Sequence, residues 1–122
     1  MDRNQKNRLI CLALVDKGLS LKAAGDYEDV LNYYHLALEF VPKECTLKFN
    51  GRYEVNGERQ IKSEIWNLIM NVHQDKSDLN GVQKAYQNAI SFNPNNQTVE
   101  NNYKLTLDRI TPVGPTGTYP PQ

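Results

Sequence analysis

The chain has 122 residues, with 14 Lys and Arg balanced by 14 Asp and Glu, so its net charge is zero. The length fits one domain, and the neutral balance removes the usual electrostatic case for binding nucleic acid or an anionic membrane. Cys11 and Cys45 do not form a pair at metal-ligand spacing and read as reduced thiols. No apolar run approaches the length needed to span a bilayer, and residues 1–17 lack a clear small-residue cleavage site. The expectation is a cytoplasmic chain without membrane insertion.

Residues 2–23 predict a long helix, with Asp2 as its N-cap, Gly25 as its stop and an apolar set of Leu9, Ile10, Ala13, Leu14 and Leu21 with Gly18 on the same side. Asp26 then caps a second helix reaching about Val41, with the stripe Val30, Leu31, Tyr34, Ala37, Leu38 and Val41. Pro42 ends it by disfavouring helical geometry in the residue before it. Residues 45–57 break the helical pattern. Thr46 to Val55 alternates and turns at Asn50-Gly51, the dipeptide that tolerates the positive φ angles of a two-residue hairpin turn. Asn56-Gly57 caps a third helix to about Gln74, carrying Ile61, Ile65, Leu68, Ile69 and Val72 on one stripe. Asp78 caps a fourth helix that stops before Pro94. A fifth opens at Gln97 or Thr98, packs through Val99, Tyr103, Leu107 and Ile110, and ends at Pro112. Residues 111–122 are rich in Pro and Gly, carry a PxxP spacing and have too little apolar content to fold alone.

Two of these stretches repeat each other 52 residues apart. Asp26, Val30, Tyr34, Ala37, Phe40 and Pro42 return as Asp78, Val82, Tyr86, Ala89, Phe92 and Pro94. Gly18 and Ala37 are small enough for two antiparallel helices to approach closely. Tyr34 and Tyr86 are expected between one pair and the next, and the prolines turn the chain onward.

With Gly18, Gly25-Asp26-Tyr27, Tyr34, Ala37, Leu38 and Pro42, and then Trp66, Asp78, Val82, Tyr86, Ala89 and Pro94, the chain resembles two tetratricopeptide repeats. The resemblance covers about residues 14–44 and 63–96. It departs from the family at Met70 in place of Gly18, at Ser77 in place of Gly25, and at Leu14 where the family's tryptophan has a counterpart only in Trp66. The family period is about 34 residues. The 18 extra residues here are 45–62, expected to project from one edge and to cover a groove or dock a partner. The fold class expected is all-α: antiparallel helix-turn-helix repeats, about five helices, with a small inserted β-hairpin, over residues 1–110 and followed by a flexible tail.

The resemblance implies a concave face lined by the first helix of each pair. By alignment that face carries Val15, Leu19 and Lys22, then Asn67, Asn71 and Gln74, then Asn101, Leu105 and Asp108. Asparagine both donates and accepts, so it suits the backbone of an extended peptide. Val15 and Leu19 stand where the family's carboxylate-gripping members have a Lys and an Asn, so a C-terminal carboxylate clamp is not expected.

Catalytic constellations are missing. His35 and His73 lie in different elements, and there is no phosphate loop, nucleophile elbow or HExxH motif. The reading is a non-enzymatic module that binds a protein or peptide, without cofactor or metal. The alternative is a structural subunit of a homo-oligomer or larger assembly, since about three stacked units are normally needed to bury every face.

Overall fold

The computed structural model describes residues 2–49, 51 and 53–110. The expectations for residues 111–122, including the proline spacing and the stop at Pro112, lie outside the described residues. The fold is five helices with one small antiparallel hairpin between the second and third: α1 Arg3–Ala23, α2 Tyr27–Leu38, β1 Thr46–Phe49, β2 Tyr53–Asn56, α3 Glu58–Asp75, α4 Leu79–Phe92 and α5 Gln97–Ile110. The expected all-α class with its inserted hairpin is therefore the observed one.

Local chemistry sets the boundaries. A capping box opens α1: Gln5 N–H donates to Asp2 Oδ1 at 2.8 Å, and Asp2 N–H donates to Gln5 Oε1 at 3.1 Å. Gly25, at φ +80°, ends it. Asp26 precedes α2 but makes no side-chain cap bond. That helix stops at Leu38, three residues short of Val41. Glu39 and Phe40 N–H donate to Leu36 and Ala37 carbonyls at 3.0 Å, a tightened last turn ahead of Pro42. The matching corner of the second pair is a full Schellman turn. Ser77 N–H donates to Gln74 O and Asp78 N–H to His73 O, both at 2.9 Å. Ser77 takes φ +57° there, so the serine adopts the left-handed geometry of its counterpart Gly25. Asp78 Oδ1 then accepts from Gly81 N–H at 3.1 Å and caps α4.

In the hairpin, Phe49 faces Tyr53 and Thr46 faces Asn56. Three residues therefore join the strands rather than the expected two, with Gly51 at φ +66°. The second Asn-Gly works as expected: Gly57, at φ +93°, stands at the start of α3, and its N–H donates to Cys45 O at 2.9 Å, closing the base of the hairpin.

One core runs through the five helices and β1. It contains Cys11 and Val15 of α1, Val30, Tyr34 and Ala37 of α2, Leu47 and Phe49 of β1, Ile61, Ile65, Ile69, Met70 and Val72 of α3, Val82, Ala85 and Ala89 of α4, and Val99 of α5. The repeat is visible in it, because Val30 and Val82, and Ala37 and Ala89, are all fully buried. Two expectations are corrected. The packed stripe of α1 is Cys11, Val15 and Gly18, while Leu9, Ile10 and Ala13 face outward. The inserted segment does not project as a decoration, because Leu47 and Phe49 are buried in the common core.

Candidate functional site

The helix-lined face is built on α3, the helix that packs against α2, α4 and α5. Glu64, Asn67, Asn71 and Gln74 recur at helical spacing and so share one side of it. Glu64 is buried, and both of its oxygens are engaged. Tyr53 Oη donates to Oε2 and Asn96 Nδ2 to Oε1, each at 2.9 Å. Burial, then the neighbouring Glu64 carboxylate, hold the Tyr53 phenol well above its ordinary pKa. Asn96 Nδ2 also donates to Ser63 Oγ at 2.9 Å, and Ser63 Oγ donates to Ala89 O at 2.8 Å. Asn96 Oδ1 accepts from Val99 N–H at 3.2 Å, so one buried asparagine caps α5 and fastens it to α3.

One turn along, Asn102 Nδ2 donates to Asn67 Oδ1 at 3.1 Å. Asn67 is 4% exposed, so its amide is an α3–α5 tie and not a contact held out to a partner. Val15 is only 1% exposed and belongs to the core. Both residues are thereby corrected as surface contacts.

The hairpin occupies the other end of the face. Arg8 lies two turns before Val15 on α1, and Glu64 lies two turns before Asn71 on α3. Arg8 Nε donates to Thr46 O at 3.1 Å while Tyr53 bonds Glu64. The two strands therefore lie across the N-terminal halves of both helices. Asn4 adds a clamp, accepting from Lys43 N–H at 3.3 Å and donating to Glu44 O at 2.9 Å.

The C-terminal half of the face stays open. Leu19 is half-buried against the core. Lys22 reaches Asp75 at 3.8 Å, an exposed pair that links α1 to α3. Asn71 and Gln74 are half-buried, and Asn101 is exposed, accepting from Gln97 Nε2 at 3.2 Å. Leu105 is 61% exposed. Gln74, Asn102, Leu105, Asp108 and Arg109 line a cavity of about 510 Å³ between α3 and α5. A second depression of about 280 Å³ shares Gln74 and Arg109 with it and adds Asp75 and Ser77. Of the residues expected on the face, Gln74, Leu105 and Asp108 come together here. Asn102 and Arg109 complete the wall.

A separate cavity of about 320 Å³ lies among α2, α3 and α4, lined by His35, Trp66, Ile69, His73, Asp78, Asn80, Gly81, Lys84, Ala85 and Asn88. His35 meets the Trp66 ring edge-on at 5.4 Å. His73 Nδ1 lies 3.2 Å from Asp78 Oδ2, at ion-pair distance but out of line for a hydrogen bond. A Cβ on Gly81 would fall 2.3 Å from His73 Nδ1, so only glycine leaves room for that ring. Sequence reading kept the two histidines apart, and folding brings them to one cavity. Among the described residues no cluster of three or more His, Cys, Asp or Glu could hold a metal ion, and no helix is long and apolar enough to cross a membrane.

Comparison with known proteins gives no relative: no family model, no curated protein and no solved structure matches the chain.

Proposed function

We propose that the chain is a non-enzymatic protein-interaction module that takes an extended partner segment into the open half of the face between α3 and α5. The observation that carries this reading is Leu105, 61% exposed on the wall of a 510 Å³ cavity beside the amide of Gln74. A cavity of that size falls in the range of ligand sites, roughly 300–1,000 Å³. Side-chain amides match the alternating N–H and C=O groups of an extended backbone, and Leu105 offers an apolar contact. Asp108 and Arg109 on the same wall carry opposite charges, so the site favours neither acidic nor basic segments. The tetratricopeptide resemblance implies the same mode of binding.

The test is selection of binding peptides from a random library on the full chain. Leu105→Glu should weaken the selected peptides at least tenfold. Asn71→Ala should weaken them by about 1 kcal/mol. Leu36→Glu, at an exposed position of α2, should leave affinity unchanged. Peptides that bind Leu105→Glu as tightly as the parent chain would remove the groove assignment.

A further inference from the structure

Helix α1 is apolar on two sides. Cys11, Val15 and Gly18 enter the core, while Leu9 and Ile10 remain 48% and 40% exposed with Ala13 beside them. The solvent-facing side of an amphipathic helix is normally polar. Here the outward positions Lys6, Leu9, Ala13 and Asp16 recur at spacings of three and four, the seam along which two helices pack. Neither Lys6 nor Asp16 has an ion-pair partner among the described residues.

We propose that this seam is a homodimer interface, in which α1 packs antiparallel on α1 of a second copy about a twofold axis level with Cys11 but on the opposite, outer side of the helix. In that register Lys6 faces Asp16 of the second copy, Leu9 faces its Ala13, and each contact occurs twice. Antiparallel pairing thus gives two ion pairs around an apolar centre. Parallel pairing would set Lys6 on Lys6 and Asp16 on Asp16, so the charge order selects one orientation. The zero net charge of the chain adds no long-range repulsion between copies. Arg3 and Lys17, one position further round, meet as like charges at the ends and limit the affinity. A single helix pair buries less than about 1,200 Å², the range of weak specific contacts, so the dissociation constant is expected on the order of tens of micromolar. The surface is distinct from the α3–α5 groove, and neither assignment depends on the other.

Sedimentation equilibrium on the full chain, from low micromolar to several hundred micromolar at low salt, tests the proposal. The mass should rise toward twice that of one chain. Lys6→Asp alone and Asp16→Lys alone should each weaken self-association at least tenfold. An equimolar mixture of the two variants should dimerise again, because one seam is then acidic and the other basic. Both positions are exposed, so circular dichroism should show both variants as helical as the parent chain. A chain that stays monomeric throughout, or a dimer indifferent to both reversals and to their mixture, would overturn the interface.

Discussion

Gly18 is where one residue sets the spacing of two helices. A Cβ built on it would fall 2.5 Å from Cε1 and 2.8 Å from Cδ1 of Tyr34, a fully buried ring. Helix propensity alone favours Ala over Gly by about 1 kcal/mol. Overpacking typically costs about 1–3 kcal/mol, and the crowded ring has no free side to move toward. Gly18→Ala is therefore expected to lower the urea midpoint, and a raised midpoint would contradict the close approach. The second pair has Met70 at the matching position, fully buried. Tyr86 accordingly occupies a different setting from Tyr34. It stacks on Tyr103 of α5 at 3.9 Å and 12°, and its Oη donates to Glu100 Oε1 at 2.5 Å, with its pKa pushed up to about 12 chiefly by that bond. The tyrosines repeat in sequence, and the residue opposite each decides what it touches.

His35 gives a pH signal at the same scale. Partial burial, then the nearby His73, lower its pKa below the ordinary imidazole value. Its neutral form is therefore favoured by folding. The stabilisation is complete above that ordinary value and is lost as pH falls through the lowered one. Asp78 and Lys84 line the same cavity, with Asp78 held below the usual carboxylate range chiefly by the Gly81 N–H, so it stays ionised through this window. Trp66 is the single tryptophan of the chain and meets His35 edge-on. Its fluorescence should fall on acidification, with a midpoint below the ordinary imidazole value, and His35→Gln should abolish that step. A step that persists in His35→Gln would overturn this assignment.

Among the elements, the hairpin differs most from its sequence reading. Its existence was legible, because alternation runs through it, one Asn-Gly step falls between the strands and another closes the second strand. Its role was not, because alternation says which residues share a face and not what that face meets. The contacts that seat it join Arg8 to Thr46 and Tyr53 to Glu64, and no local period reports pairs so far apart. Phe49 is 2% exposed and stacks on Tyr53 at 5.9 Å. Phe49→Ala should therefore cost about 3–5 kcal/mol in chemical denaturation, the range for a core phenylalanine. A loss below 1 kcal/mol would return the hairpin to a surface ornament.

The helix boundaries were readable to within a few residues, since caps, glycines and prolines act locally. The burial of Asn67 was not, because it depends on the α5 residue Asn102 that bonds it, and that of Val15 was not, because α1 carries apolar residues on two sides and its period alone does not choose between them. Asn96 did leave a signal. An asparagine three residues before Val99, just after a proline turn, is a natural N-cap for a helix that opens at Gln97, one of the two expected starts. Glu64 left another: an acid three residues after Ile61 and next to Ile65, on the apolar stripe of α3, invites a buried partner.

At the scale of the whole molecule, two helical pairs and a fifth helix share one core, with the hairpin bonded to the N-terminal halves of α1 and α3. What remains uncovered is specific. One surface is the groove between α3 and α5 with Leu105 exposed on its wall, and another is the outer side of α1 with Leu9 and Ile10. Backbone chemical-shift mapping of the isotopically labelled chain, titrated with a selected peptide, tests the groove most directly. Perturbations should concentrate at Asn71, Gln74, Asn102, Leu105 and Arg109. Perturbations concentrated instead at His35, Trp66 and Lys84, or along the outer side of α1, would contradict the account.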